Sequence, residues 1–463
     1  MKAGNRFLIT LVFSLSFLSM FAQPYQANWE SLDKRPVPSW FNDAKFGIFI
    51  HWGVYSVPAW APADADVGVY AKYAEWYWNR LVVDDGNAHK YFKEHHDKTY
   101  GPDFRYQDFA PMFKAELFNP DEWADVFKKS GAKYIVLTSK HHEGFTLWPS
   151  RESWNWNAVD IGPHRDLAGD LSASVKKAGL HMGFYYSLYE WFNPTYLTDL
   201  AKYVDDHMIP QMKDLVTRYQ PDLLWTDGEW DHPSKDWKSE EFLAWLYNES
   251  AVKEKIVVND RWGKETRSKH GGIYTTEYNL INETEVKGEI PHPVEECRGI
   301  GTSFGYNRIE TSKHYMSSEA LIQLLIEKVA NGSNLLLDIG PTADGLIPVV
   351  MQERLLDMGN WLELNGEAIY GTSTWKNRPT ELQKEGVYFT RKGKDLYVIF
   401  TRWPQGPVKI PGVKSAGKVE MLGGAGVKAS VSSGVLKLVL PATLPVSLAR
   451  NLAWVVKVND FGK

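Results

Sequence analysis

The chain has 463 residues, is 44% hydrophobic and 24% charged, and carries a formal net charge of −5. That length exceeds one modest core and points to two domains, and weak acidity without a basic tract argues against a nucleic-acid partner. Its one cysteine, Cys297, excludes an intrachain disulfide and a cysteine-rich zinc site. The 20 Trp, 23 Tyr and 21 Phe supply ring faces that stack on sugar C–H surfaces, or equally fill a core.

Lys2 and Arg6 precede the apolar run Phe7 to Ala22, and polar sequence follows from Gln23. Residues 1–22 are therefore expected to be a secretory signal peptide, which leaves no membrane association once it is removed. From residue 23 to 370, strand-like runs alternate with helical ones. The expected strands are Lys45 to Gly53, Tyr134 to His142, His181 to Trp191, Asp222 to Trp230, Lys255 to Gly263 and Gly271 to Asn279. A seventh is expected within Glu296 to Asn307 and an eighth over Asn334 to Gly340. Helical patterns cover Pro120 to Lys129, Leu167 to Ala178, Leu200 to Tyr219, Phe242 to Tyr247 and Ser318 to Ala330.

Eight strands separated by helices fit a (β/α)8-like TIM barrel of the α/β class better than a doubly wound sheet, whose glycine-rich phosphate loop is missing. Gly371 to Pro379 reads as a linker. Residues 380–463 then show short strands with Gly and Pro punctuation, the pattern of a C-terminal β-sandwich.

A barrel draws its chemistry from the C-terminal ends of its strands. His51, His141, His142, Tyr185, Asp227, Arg261 and Glu277 fall there. Asp227 ends the apolar run LLWTD, and Gly228 would let the chain turn sharply behind it. Asp227 and Glu277 have the character of the two carboxylates that glycosidic-bond cleavage needs. Asp227 with His51, His141 and His142 has the character of zinc ligands, and a buried histidine pair satisfied by backbone is the structural alternative.

The motifs KFGIFIHWGVYSVPAW, EWY (Glu75 to Tyr77), SKHHEGFTLW, GFYYSLYEW, WTDGEW, VVNDRWG, TTEY, ECRGIGTSFGYNR, NLLLDIGPTADG and NGEAIY cover most of residues 35–370. Together they resemble the alpha-L-fucosidases of glycoside hydrolase family 29. The resemblance implies a barrel with a C-terminal β-sandwich that hydrolyses terminal alpha-L-fucosyl groups of oligosaccharides or glycoconjugates. It implies retention at the anomeric carbon, by double displacement through a covalent glycosyl-enzyme, without a metal or cofactor. By the same resemblance Asp227 is the nucleophile and Glu277 the acid/base, with Glu295 a second candidate, although Val294 stands where many relatives have tryptophan. The implied fucose pocket is His51, Glu75, Trp76, His141, His142, Tyr185, Trp225, Arg261 and Phe304. A fucose-recognition protein with silenced chemistry is the contrasting class, and the carboxylate pair argues against it. A hydrolase of the same fold acting on another sugar is a third. The signal peptide and absence of disulfides suit secretion or a bacterial periplasm, or a lysosome in a eukaryote. Asn248, Asn282 and Asn331 open N-glycosylation sequons.

Overall fold

Two opposite faces of one sheet divide the apolar residues of the catalytic half. The computed structural model describes residues 24–84, 86, 88–278, 292–424, 426–449 and 451–461. The expected signal peptide, the Asn282 sequon and the end of the expected sixth strand at Asn279 lie outside the described residues. Eight parallel strands form the sheet: β1 (Phe46–Ile50), β2 (Tyr134–Lys140), β3 (His181–Ser187), β4 (Leu223–Asp227), β5 (Val257–Val258), β6 (Tyr274–Glu277), β7 (Val294–Gly299) and β8 (Ser333–Ile339). Their spatial order is β5-β4-β3-β2-β1-β8-β7-β6, the curled order of a TIM-like barrel.

Side chains alternate across each strand. Phe49, Tyr134, Val136, Tyr185, Leu223, Trp225, Val257, Cys297 and Leu336 gather in one buried cluster, the barrel interior. Ile48, Ile50, Ile135, Leu137, Phe184, Leu224, Leu335 and Leu337 join the second cluster, under the surrounding helices. Gly47 faces Tyr134 in register, and a Cβ there would lie 2.4 Å from that ring, so the interior Tyr134 depends on a glycine beside it.

The helices over Pro120–Lys129 and Ser318–Ala330 match the expected ranges. Asn119 and Ser317 cap them through side-chain acceptors on Glu122 N and Ala320 N. The expected helix from Leu200 to Tyr219 is interrupted by a π-helical stretch at Val204–Met208. Pro210 follows directly and has no amide hydrogen for a regular i→i−4 bond, which accounts for the widened turn. The seventh strand differs from expectation. It starts earlier, at Val294, and ends at Gly299, so most of GIGTSFGYN is loop at the barrel mouth.

Closure of the sheet depends on the side chains of Asn259 and Asp260. As a ladder, β5 is two residues long. Beyond it, Asn259 Oδ1 accepts from Thr226 N at 3.2 Å and its Nδ2 donates to Thr226 O at 2.7 Å, replacing backbone pairing to β4. On the other side, Ile273 N donates to Val258 O at 2.9 Å and Asp260 Oδ1 accepts from Thr275 N at 3.2 Å. The β5–β6 seam is thus sewn by one backbone bond and one carboxylate.

After the barrel, β9 (Ser373–Thr374), β10 (Val387–Lys392), β11 (Asp395–Phe400), β12 (Val408–Pro411), β13 (Val419–Met421), β14 (Lys428–Ser432), β15 (Val435–Val439) and β16 (Trp454–Val458) form two antiparallel sheets, ordered β13-β16-β11-β10-β9 and β12-β15-β14. Strand β9 falls inside the segment read as a linker, and Trp375 beside it is buried in the C-terminal core. Alternation again sorts the residues. Leu396, Val398, Phe400 and Val456 face the smaller sheet, while Tyr397, Ile399 and Val455 join the barrel's outer core. Trp361 Nε1 donates to Ala453 O at 3.0 Å across that contact.

Asn259→Ala leaves the buried Thr226 N–H and C=O unpaired, and is expected to cost about 2–4 kcal/mol. Urea denaturation should show a lowered midpoint, and activity should fall with it because Arg261 lies two residues further on.

Candidate active site

A cavity of about 380 Å³ opens at the C-terminal ends of the strands. His51, Glu75, Trp76, His141, His142, Tyr185, Trp225, Asp227, Arg261, Glu277 and Phe304 all line it. Tyr70, Tyr73, Arg80, Trp230, Arg267 and Cys297 complete the wall with Phe49. Glu295 is not among the lining residues. Alternation explains its place: Thr275 pairs with Glu295 and Glu277 with Cys297, so Glu295 sits one inward layer below the floor. There it accepts from Tyr134 Oη at 2.5 Å and Trp225 Nε1 at 3.0 Å.

Trp225 and Asp227 lie two apart on β4 and point the same way. Gly228 then takes φ +76°, and a Cβ there would lie 2.7 Å from Tyr189 Cβ, so a tight left-handed turn carries the chain away behind the carboxylate. Asp227 Oδ1 accepts from Arg261 Nη1 at 2.7 Å and Oδ2 from Tyr185 Oη at 3.1 Å. His142 Nε2 and Arg267 Nη2 approach at 3.7 and 3.6 Å. Burial alone would raise the Asp227 pKa, but the guanidiniums of Arg261 and Arg267 outweigh it and hold the carboxyl well below its usual range.

Arg261 serves both acids. Its Nε donates to Thr275 Oγ1 at 3.0 Å, its Nη2 lies 3.6 Å from Glu277 Oε2, and its plane covers the Trp225 ring at 4.3 Å. Glu277 also accepts from Tyr73 Oη at 3.0 Å. Here burial prevails: it raises the Glu277 pKa against the pull of Arg261, and the charge of Asp227 adds to the rise. Two carboxyls on one guanidinium are thus driven in opposite directions.

The histidines are held from behind. His51 Nδ1 shares a proton with Asp338 Oδ1 at 2.6 Å, which directs Nε2 outward. Ser187 Oγ donates to Tyr189 O at 2.6 Å and so accepts from His142 Nδ1, also at 2.6 Å. Burial, reinforced by His141, keeps His142 neutral, and its Nε2 is left as an acceptor toward the cavity. Among the described residues no three His, Cys, Asp or Glu side chains group as a metal site, so the zinc-ligand alternative finds no converging set there. Adjacent His141 and His142 both reach the cavity because β2 ends at Lys140, after a register shift between Thr138 and Lys140. Beyond it, Trp191 N donates to His142 O at 3.0 Å.

Glu75 is buried and accepts from Gly305 N at 2.8 Å and Ser303 Oγ at 3.2 Å. Burial pushes its pKa up to about 7 despite His141 and these bonds. Phe304 stacks on His51 at 5.0 Å. Asp338, Ser187, Tyr73, Arg267 and Glu229 escaped sequence reasoning. An acid inside the apolar run NLLLDIG was a signal for Asp338, since a buried carboxyl needs a partner. Arg267, whose Nε donates to the buried Glu229 at 2.5 Å, sits in an irregular loop without any such signal.

Burial raises both Glu75 and Glu295 to about 7, from 4.5 in an exposed chain. The folded state therefore holds these protons between pH 4.5 and 7 while the unfolded state releases them, and stability falls as pH rises through that window, by about 3 kcal/mol for each acid. Thermal unfolding from pH 4.5 to 8 should show this decline, and Glu295→Gln should flatten it; an unchanged slope would show that Glu295 is ionised throughout.

The chain is similar to known proteins along nearly all of its length. Residues 14–367 match the alpha-L-fucosidase family model and residues 380–459 the alpha-L-fucosidase C-terminal domain. The rat tissue alpha-L-fucosidase is 42% identical over 469 residues, spanning 98% of this chain and 97% of its own. The Dictyostelium discoideum alpha-L-fucosidase is 48% identical over 380 residues, 80% of this chain and 79% of its own. Thermotoga maritima alpha-fucosidase, solved in complex with fucose, superimposes with a TM-score of 0.77 at 39% identity, covering 94% of this chain and 100% of that one. Its complex with a mechanism-based inhibitor gives 0.79, with the same identity and coverage. With both of its domains matched and its cavity built of paired carboxylates and imidazoles at the mouth of a TIM-like barrel, the chain belongs to the alpha-L-fucosidase family of glycoside hydrolases.

Proposed function

We propose that the enzyme removes terminal alpha-L-fucosyl groups from oligosaccharides or glycoconjugates with retention of configuration. The observation that carries this is the geometry of two cavity carboxyls around Arg261, which lies 2.7 Å from Asp227 and 3.6 Å from Glu277 and drives Asp227 toward its ionised form while burial drives Glu277 toward its protonated one. In the first step Asp227 attacks the anomeric carbon while Glu277 gives its proton to the departing glycosidic oxygen. The glycosyl-enzyme bond forms as the glycosidic bond breaks. In the second, Glu277, now a carboxylate, takes a proton from water, which attacks the anomeric carbon and returns Asp227. His51, Glu75, His141, His142, Tyr185 and Arg261 bind the sugar hydroxyls, and Trp76, Trp225 and Phe304 pack against its apolar edge and methyl group. Tyr185 and Arg261 touch Asp227 itself and balance its charge before attack. Glu295 supports Trp225 from below and takes no proton from substrate. The signal peptide read in residues 1–22 supports a location outside the cytoplasm.

Proton NMR of an aryl fucoside reaction should show alpha-fucose first; beta-fucose first would sink the double displacement. Asp227→Ala should lower kcat by several orders of magnitude, and azide should restore turnover with beta-fucosyl azide as product.

Glu277→Ala should slow fucosyl-oligosaccharides far more than an activated aryl fucoside, because a poor leaving group needs the proton. Azide should then give the alpha-azide. Glu295→Ala should slow both substrates by similar factors without azide rescue; leaving-group dependence in that variant alone would transfer the acid/base role to it. In the parent enzyme, kcat/KM should fall as pH rises through the elevated Glu277 pKa, since the deprotonated acid has no proton to give.

A further inference from the structure

Most of the cavity lining is buried, but two of its aromatic residues are exposed. Tyr70 is 50% exposed and Trp230 38%, and both stand at the mouth. They occupy different sides of it. Trp230 stacks toward Trp76 at 6.0 Å and meets His142 edge-on at 5.2 Å, on the Asp227 side. Tyr70 lies on the acid side, within electrostatic range of Glu277, Arg261 and Arg267. Its ring meets Tyr73 edge-on at 5.6 Å, and Tyr73 Oη donates to Glu277 at 3.0 Å.

In a double displacement the nucleophile and the leaving group occupy opposite faces of the anomeric carbon. The sugar that departs must therefore emerge beside Glu277, not beside Asp227. An aromatic face waiting there, mechanically joined to the acid through Tyr73, suits a pyranose ring that offers an unbroken C–H surface. Arg267, a quarter exposed, lies between the two sides: its Nη2 is 3.6 Å from Asp227 and its charge reaches Tyr70.

We propose that Tyr70 is the platform for the leaving-group sugar, stacking on the C–H face of a hexopyranose such as galactose and aligning its glycosidic oxygen with Glu277. Trp230 closes the opposite side of the mouth. This rests on the fucosidase reading above, and it assigns the half of the substrate that the buried pocket does not hold. Because the contribution comes from the ring face, Phe serves at position 70 and Ala does not.

The test compares two substrates that differ only in what leaves: a fucosyl-galactose disaccharide, and alpha-L-fucosyl fluoride, whose leaving group has no ring to stack. Tyr70→Ala should lower kcat/KM for the disaccharide about tenfold more than for the fluoride, and Tyr70→Phe should keep the parent's ratio. Loss of one ring face should appear mainly in KM for the disaccharide. Equal falls on both substrates, or an unchanged ratio in Tyr70→Ala, would overturn the platform while leaving the double displacement intact. If the parent enzyme turned over neither substrate, the fucosidase reading itself would fail, and the platform with it.

Discussion

The active centre depends on one buried guanidinium. Arg261 is 2% exposed, and a cation so placed persists only where its charge and donors are answered. Asp227 and the face of Trp225 answer it from β4, Thr275 and Glu277 from β6. The burial cost is common to both acids, while the attraction is unequal: 2.7 Å to Asp227 against 3.6 Å to Glu277. That inequality drives the two carboxyls in opposite directions, Asp227 toward ionisation and Glu277 toward its protonated form, the condition an acid–nucleophile pair requires.

What holds Arg261 is the broken seam of the barrel. Regular pairing stops after two residues of β5, and Asn259 and Asp260 take over as side-chain substitutes for backbone partners. Asp260 also accepts from Thr275 Oγ1, the group that receives Arg261 Nε. Strand closure and catalytic geometry are therefore one hydrogen-bonded unit, and a sheet irregularity coincides with the site it positions. The imidazoles follow a similar plan, each oriented by a partner behind it: Asp338 for His51 and Ser187 for His142.

A buried ion pair ties the histidine turn to the next loop. Lys140, fully buried, donates to Glu190 at 2.6 Å, and His207 meets the same carboxylate oxygen at 2.9 Å. Burial, opposing, is outweighed by Lys140 and His207, so the Glu190 carboxyl is held well below its usual range. The neighbours of this pair in sequence, His141, His142 and Trp191, meet around the cavity.

Strand-ending polar residues such as His51, Asp227 and Glu277 were legible in the chain because a buried strand is a short apolar run, and whatever follows it stands at the rim. The barrel class, its strands apart from the displaced seventh, and the C-terminal sheets were legible for the same reason, since alternation and turn residues are local properties. The family motifs carried the pocket residues further than periodicity did. Three matters were settled by the tertiary structure alone. Glu277 lies near the end of one expected strand and Glu295 just before another, yet only pairing of β6 with β7 puts one at the cavity wall and the other a layer beneath it. The segment over Gly371 to Pro379 reads as a linker by composition, but contributes an edge strand and a buried Trp375 because a sheet edge accepts almost any extended pair of residues. Tyr73, Ser187, Arg267 and Asp338 act through partners distant in sequence, from 38 residues for Arg267 with Glu229 to 287 for Asp338 with His51. Such contacts leave no local trace, because a side chain's partner is chosen by packing and register after the chain has folded.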